Sequence, residues 1–261
     1  MENQGILRIG IVGSGNVATH LAKAISLSKH HLIQVLSRNI DHAKRLTNNT
    51  NAEAIDKPKL LKSELDILIL ALKDEVLHSN LISQFPRDTI ICHTSGSVSM
   101  QPFIGFPKHG IFYPLQTFSK QKEVDFNEIP ICLEANSEAV LQKIHSLASS
   151  ISKHVYEINS QQRKSLHLAA VFACNFTNLM YNISEKLSRE SGLDFEILRP
   201  LIKETAAKVQ EHLPAEVQTG PAVRNDNLIL NKHLKLLENH KDYQDIYRIL
   251  TNEIKTTNEE L

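Results

Sequence analysis

The chain carries no net charge: 29 Lys and Arg are balanced by 29 Asp and Glu across 261 residues. Nucleic acids and anionic lipid surfaces are bound mainly by neutralising phosphate, so a balanced chain lacks the global electrostatic footprint of either binder. Cysteine is scarce. Cys92, Cys132 and Cys174 are odd in number, far apart and set in apolar runs; they show no zinc-type spacing and read as buried thiols of a reducing, cytoplasmic compartment. Long apolar runs are missing too. A stretch such as Ile67 to Leu72 falls far short of the ~20 residues that cross a bilayer, so no membrane partner is expected. Met1 to Arg8 has no basic start, apolar core or small-residue cleavage site, and no secretory leader is expected there. With 41% hydrophobic and 22% charged residues the composition is globular, which argues against disorder and fibrous repeats. The one excess is histidine: thirteen residues that let the net charge swing positive between about pH 7 and pH 5.

The length suggests two domains at about 100–200 residues each, and the pattern changes near residue 158. Before it, Ile9 to Val12, Ile33 to Leu36, Ile67 to Leu72, Thr89 to Cys92, Gly110 to Tyr113 and Ile129 to Leu133 read as strands, most apolar enough to be buried on both faces. Such strands alternating with helical segments indicate an α/β fold with a doubly wound parallel sheet. Ala18, Leu21, Ala22 and Ile25 recur at helical spacing, as do Val140, Leu141, Ile144, Leu147, Ala148 and Ile151. From residue 159 the pattern is all helical. Gln161 to Ser191 reads as one long helix stopped by Gly192. Its stretch from Leu166 to Ile183 is apolar on nearly every side, which demands burial on every side and predicts a homodimer interface. Asp194 can cap the next helix, which runs through Leu213 with Pro200 kinking it or starting a second segment. Helices over about 226–239 and 242–256 follow a Gly220-Pro221 loop, and Thr256 to Leu261 is expected to fray.

The strongest chemical signal opens the chain. Ile9-Gly10-Ile11-Val12 runs into Gly13-Ser14-Gly15-Asn16-Val17-Ala18, a G-x-G-x-x-A loop between a strand and an amphipathic helix. Gly13 makes the tight turn, Gly15 lets the backbone approach a pyrophosphate, and Ala18 allows close helix packing. The anion would rest on the helix N-terminus. About 20 residues on, a cofactor with a free ribose 2′-hydroxyl usually meets Asp or Glu; here the strand ends Leu36-Ser37-Arg38-Asn39. Arg38 offers a guanidinium for a 2′-phosphate, with Ser37 and Asn39 as neutral donors, so NADP(H) is the expected cofactor. In the alternative reading Arg38 is solvated and Asp41 takes the ribose.

In an open parallel sheet the ligand lies beyond the C-terminal strand ends. One such tip is Leu72-Lys73-Asp74-Glu75, able to line the cofactor. A second, His93-Thr94-Ser95-Gly96-Ser97, can hold a substrate carboxylate or carbonyl through Ser95, Ser97 and backbone amides; equally, it is a polar helix cap with a structural His93. A third, Tyr113-Pro114-Leu115-Gln116-Thr117-Phe118, closes a strand with an aromatic and amide pair. In the apolar helix the polar exceptions are His167, Asn175 and Asn178. His167 and Asn175 lie roughly 80° apart at about 100° per residue, near enough to share a face. Both need hydrogen-bond partners if buried, which a substrate or nicotinamide could supply, or another helix of the core or of a dimer mate. Further on, Arg224 could reach an anion and Asp226 cap a helix, while His233 reads as a helix-face residue.

Taken in order, the glycine loop, Ser37-Arg38, His93-Thr94-Ser95-Gly96, Pro114-Leu115-Gln116-Thr117-Phe118, His167-Leu168-Ala169-Ala170-Val171-Phe172-Ala173-Cys174-Asn175 and Thr219-Gly220-Pro221-Ala222-Val223-Arg224-Asn225-Asp226 resemble bacterial Rossmann-like proteins labelled NADP oxidoreductases, whose C-terminal half is known only as a domain of unknown function. The layout is distantly similar to pyrroline-5-carboxylate reductase, the β-hydroxyacid dehydrogenases and ketopantoate reductase. The resemblance implies a Rossmann domain over 1–158, an all-helical substrate and dimerisation domain over 159–261, and hydride transfer between NADP(H) and a small carbonyl, hydroxy acid or imine. The β-hydroxyacid dehydrogenases place a Lys four residues before an Asn as acid and anchor. If Asn175 is that Asn, Val171 stands at the Lys position, and His167, one turn earlier, becomes the candidate proton donor. A catalytically silent NADP(H)-binding regulator, and an oxidoreductase with a deazaflavin as hydride partner, are the competing readings.

Overall fold

The apolar strand runs stack side by side because each must bury both faces. In the computed structural model, which describes residues 5–48 and 50–259, β1 (Arg8–Val12), β2 (His31–Leu36), β3 (Glu53–Ile55), β4 (Ile67–Leu70), β5 (Ile90–His93), β6 (His109–Pro114), β7 (Ile131–Ala135) and β8 (Val155–Glu157) form one sheet. Its order is β3-β2-β1-β4-β5-β6-β7-β8. From β3 to β6 every neighbouring pair is parallel. The strand order switches direction between β1 and β4, the two halves of the sheet growing outward from that point, as in a Rossmann sheet.

Alternation along β4 shows why the strands read as continuously apolar. Ile67 and Ile69 join a core with Ile9, Ile11, Leu21, Ile25 and Ile144, while Leu68 and Leu70 join another with Leu36, Leu77, Phe85, Phe103 and Phe106. The first face is covered by α1 (Asn16–Ser26) and α4 (Glu138–Ser149). Over the second, the helical segments suggested by the alternating pattern shrink to α3 (Asp74–Leu77) and single turns of 3-10 helix at Ile82–Gln84 and Gln101–Phe103. Leu77, Ile82, Phe85, Val98, Phe103 and Phe106 fill that layer instead of a long helix.

Two further departures concern the sheet's far edge. The strand expected at Ile129 to Leu133 starts two residues later and runs antiparallel to β6, pairing Gly110 with Ala135 and Pro114 with Ile131. The segment between them holds no crossover helix, only one 3-10 turn at Phe126–Glu128, and α4 then returns the chain to β8 in parallel. The short strands β3 and β8 carry too few residues to show an alternation.

The expected long helix is continuous from α5 (Ser160–Ala170) through a π-helical segment, Val171–Phe176, to α6 (Thr177–Glu190). Asn159 and Gln162 form a capping box at its start, and Gly192, at φ 72°, ends it in the left-handed region. The chain divides into two compact units, one ending at Cys174 and one beginning at Asn175. The first turns of α5 are thus held to the sheet. In the second unit Asp194 caps a 3-10 turn by accepting from the Glu196 amide, and Pro200 starts α7 (Arg199–Glu211). Helices α8 (Asn227–Leu236) and α9 (Lys241–Glu259) complete it, joined by a 2.8 Å bond between His233 and Tyr247. Helix α9 continues through Glu259, past the fraying expected from Thr256; Glu260 and Leu261 lie outside the described residues. Leu168 and Leu179 of the helix expected to be buried on every side are exposed, as are Ile197, Leu201 and Leu228.

Candidate active site

The glycine loop follows β1. Its first glycine is required by the protein itself: Gly13 sits at φ 119°, and a Cβ there would lie 2.2 Å from the Ala71 carbonyl oxygen. The turn is held by Gly13 N–H donating to Leu36 O and Ala71 N–H to Val12 O, both 2.8 Å. Gly15 differs. Its backbone is extended, and a Cβ would meet nothing within 4 Å, so no protein atom requires glycine there. The space it leaves open lies at the N-terminus of α1, which has no capping side chain and no acidic residue in its first turn. An uncapped helix N-terminus with room for a close approach suits a phosphate group. Ala18 is fully buried against the sheet.

At the tip of β2, Ser37 is buried and its hydroxyl lies 2.9 Å from that of Ser14, which ties this tip to the glycine loop. Arg38 beside it is exposed and, among the described residues, has no ion-pair partner. Asn39, expected as a neutral donor, spends its side-chain oxygen capping α2 (Ile40–Thr47). Asn16 likewise donates its side-chain amide to the Phe118 carbonyl at 2.8 Å, and His20, one turn on, pairs with Ser119 O. The segment after β6 is therefore strapped along α1 by one side-chain N–H of Asn16, whose amide oxygen and backbone remain for a cofactor.

A cleft of about 390 Å³ runs from Gly15, Asn16 and Val17 past Leu72 and Lys73 to Ser95, Gly96, Tyr113 and His167. The β5 loop at its far end is largely self-satisfied. Ser95 N–H donates to His93 Nδ1, while Ser97 N–H and Val98 N–H both donate to Ser95 Oγ. These amides point inward, so the anion-binding loop expected from them is not formed by Ser95 N, Ser97 N or Val98 N. His93 is fully buried. Because Nδ1 accepts from an amide and Nε2 faces the Ser99 carbonyl at 3.2 Å, Nε2 carries the proton and the ring is neutral. Burial pushes its pKa down to about 4. Of the two readings of His93, the structural imidazole matches its position: it supports the loop from below, and Ser95 and Gly96 face the cleft.

His167 reaches the cleft because α5 is pinned one turn earlier. Arg163 is fully buried, pairs with Glu134 of β7, and donates to the Val98 carbonyl at 2.6 Å. Four residues on, on the same face, the His167 ring lies against Gly96, where a Cβ would come within 2.6 Å of Cγ and Nδ1. Tyr113, at the end of β6, holds Nδ1 at 2.9 Å, with the rings edge to face at 6.0 Å. Burial pushes the Tyr113 phenol up to about 12, so it keeps its proton at neutral pH. Asn175 opens the second unit, exposed in the π-helical segment. Arg163 and Glu134 escaped the sequence reading; the available signal was an Arg one helical turn before the lone His of an apolar helix.

Residues 8–92 match the family described as NADP oxidoreductase coenzyme F420-dependent, and residues 129–254 match a domain of unknown function, DUF2520. A Bacteroides fragilis protein, provisionally described as an NADP oxidoreductase, is 40% identical over 96% of this chain and 98% of its own, with a TM-score of 0.89. The chain belongs to this NADP oxidoreductase family. Protein TM1727 of Thermotoga maritima shares the fold at 22% identity and a TM-score of 0.74, covering 97% of this chain and 98% of that one. A 1-pyrroline-5-carboxylate reductase from Streptococcus pyogenes does so at 14% and 0.64, over 96% and 99%. No curated protein matches the chain. Among the described residues no helix is long and apolar enough to cross a membrane.

Proposed function

We propose that the protein reduces a small carbonyl or imine, or oxidises the corresponding hydroxy acid or amine, with NADP(H) as the hydride carrier. One observation carries this reading: a single cleft joins the open helix N-terminus at Gly15 to an imidazole, His167, whose Nε2 has no partner among the described residues. The glycine loop and α1 would hold the pyrophosphate, and Ser37 with Arg38 the 2′-phosphate. Nicotinamide, when bound, supplies the hydride. His167 then delivers the Nε2 proton of its imidazolium form to the acceptor oxygen or nitrogen as the adjacent carbon is reduced, which leaves a neutral ring. The Ser95 hydroxyl, having accepted two amides, still has its own proton to donate to the same acceptor. Solved structures that share the fold carry the names pyrroline-5-carboxylate reductase and imine reductase, which favours a C=N acceptor for the first substrate screen.

The exposed leucines and isoleucines of α5 to α9 support a homodimer in which a second copy covers them. Cys92 and Cys132 are buried free thiols, while Cys174, expected to be buried, is exposed; the two buried thiols fit a reducing, cytoplasmic setting. Titration of the protein with NADPH and NADH in parallel tests the cofactor assignment. NADPH should bind more tightly, and Arg38→Ala should remove most of that preference, roughly 10- to 100-fold for one charge-assisted contact. Binding of neither nucleotide at millimolar concentration overturns the proposal. His167→Ala should abolish turnover while sparing NADPH affinity. NADPH binding with no turnover of any carbonyl or imine favours the silent regulator, for which Val171 at the position of the β-hydroxyacid dehydrogenase lysine is the argument. A deazaflavin chromophore in the purified protein would replace the direct substrate reduction by transfer between two cofactors.

A further inference from the structure

The His167 ring is fixed from three directions, and only Tyr113 bonds the ring itself. Helix α5 is fixed by buried Arg163, bonded to Glu134 and to Val98 O. Gly96 supplies a flat wall with no Cβ. The Tyr113 hydroxyl, 2.9 Å from Nδ1, is the only hydrogen-bond partner of the ring among the described residues. Tyr113 is itself largely buried, and among the described residues His167 is the one acceptor for its O–H. A buried hydroxyl needs an acceptor, so the phenol proton belongs on Nδ1 whenever that nitrogen is bare.

We propose that Tyr113 is the positioning residue of His167, its hydroxyl holding Nδ1 in every protonation state of the ring so that Nε2 is always the nitrogen presented to the cleft. This rests on the reading of His167 as the proton donor. A hydroxyl can do what a carboxylate or a carbonyl cannot, because it is both donor and acceptor. In the neutral resting ring Tyr113 donates to Nδ1, which leaves the proton on Nε2. In the imidazolium Nδ1–H donates to the Tyr113 oxygen and Nε2–H faces the acceptor. After Nε2 has given up its proton, Nδ1–H still donates to the same oxygen, and Nε2 is bare and ready to be reprotonated from solvent. The phenol never ionises, and the proton balance closes on His167 alone. The hydrogen bond at one ring nitrogen thus decides the work of the other.

The test is nitrogen NMR of His167 in the intact protein, with the resonance assigned by its loss in His167→Ala. In the wild type, the neutral resting ring should carry its proton on Nε2, and the bare Nδ1 should show the displacement of a hydrogen-bonded acceptor. Tyr113→Phe keeps the ring and should abolish that displacement. In turnover it should lower kcat about tenfold, the worth of one neutral hydrogen bond, with NADPH affinity unchanged. A resting wild-type ring that is neutral and protonated at Nδ1, with no substrate or cofactor present, overturns the proposal without any variant, as does an Nδ1 resonance unmoved in Tyr113→Phe. If the resonance moves as expected while the wild type reduces no carbonyl or imine, the positioning by Tyr113 stands and the reductase reading falls.

Discussion

Adding one methyl group at Gly96 should separate the position of His167 from every other property of the site. A Cβ at this residue falls 2.6 Å from both Cγ and Nδ1 of His167 and 3.0 Å from its Cβ. Carbon atoms settle at about 3.5–4.0 Å, so the ring has to retreat by about 1 Å. Gly96 is not among the residues at positive φ, and alanine therefore meets no backbone strain of its own; the neighbour alone gives way. A retreat of that size stretches the 2.9 Å bond to Tyr113 to about 3.9 Å, beyond hydrogen-bonding range. Overpacking of this kind costs about 1–3 kcal/mol of stability. A misplacement of about 1 Å in a reacting group lowers turnover on the order of 100-fold. Thermal melting, NADPH titration and steady-state turnover of Gly96→Ala should show a lowered Tm, unchanged NADPH affinity and kcat down by about that factor. Gly105→Ala, where a Cβ meets nothing within 4 Å, is the neutral control. Wild-type kcat in Gly96→Ala would refute the placement of His167 as a catalytic residue. Loss of NADPH binding in step with kcat would mean that the loop, not the imidazole, had been disturbed.

The two glycines of the phosphate loop should fail in different ways. Gly13→Ala combines a 2.2 Å clash with backbone and a φ of 119°, and should destabilise the fold by roughly 2–5 kcal/mol in a denaturant titration. Gly15→Ala should stay within about 1 kcal/mol of the wild type yet bind NADPH at least tenfold more weakly; equal NADPH affinity would mean that no phosphate approaches Gly15. His93 should contribute acid lability. Its folded pKa, pushed down to about 4 by burial, lies below the ordinary value of about 6.5, so between these pH values the unfolded chain binds a proton that the folded one refuses. Stability should fall as pH drops from about 6.5 to 4, by on the order of 3 kcal/mol in all, and level off below. Denaturant midpoints across this range for the wild type and His93→Gln should differ in slope; parallel curves would show that His93 titrates in the fold.

Much of the Rossmann half was legible because its signals are local. Continuous apolar runs bounded by turn residues gave the central strands, and Gly13, Gly15 and Ala18 lie within one loop whose spacing has a physical meaning by itself. The second face of the sheet was harder: its cover is built from Leu77, Phe85, Phe103 and Phe106, set on short turns without helical period. The role of His93 could not be read either. A histidine between a strand and a polar loop looks the same in sequence whether its ring nitrogens face a ligand or are consumed by Ser95 N–H and Ser99 O.

The sequence by itself determined six of the eight strands with α1 and α4, the phosphate loop with its candidate NADP(H) contacts, and the demand that the apolar helix be covered. Only the tertiary structure decided which polar residues meet. Tyr113, Gly96 and His167 are separated by up to 71 positions, and no periodicity links a strand end, a loop and a helix. What joins them is the parallel stacking of β5 and β6, which sets two strand tips side by side, and the buried Arg163 anchor that fixes the phase of α5 over them. Sequence spacing fixes the face of a helix; long-range packing fixes what that face meets.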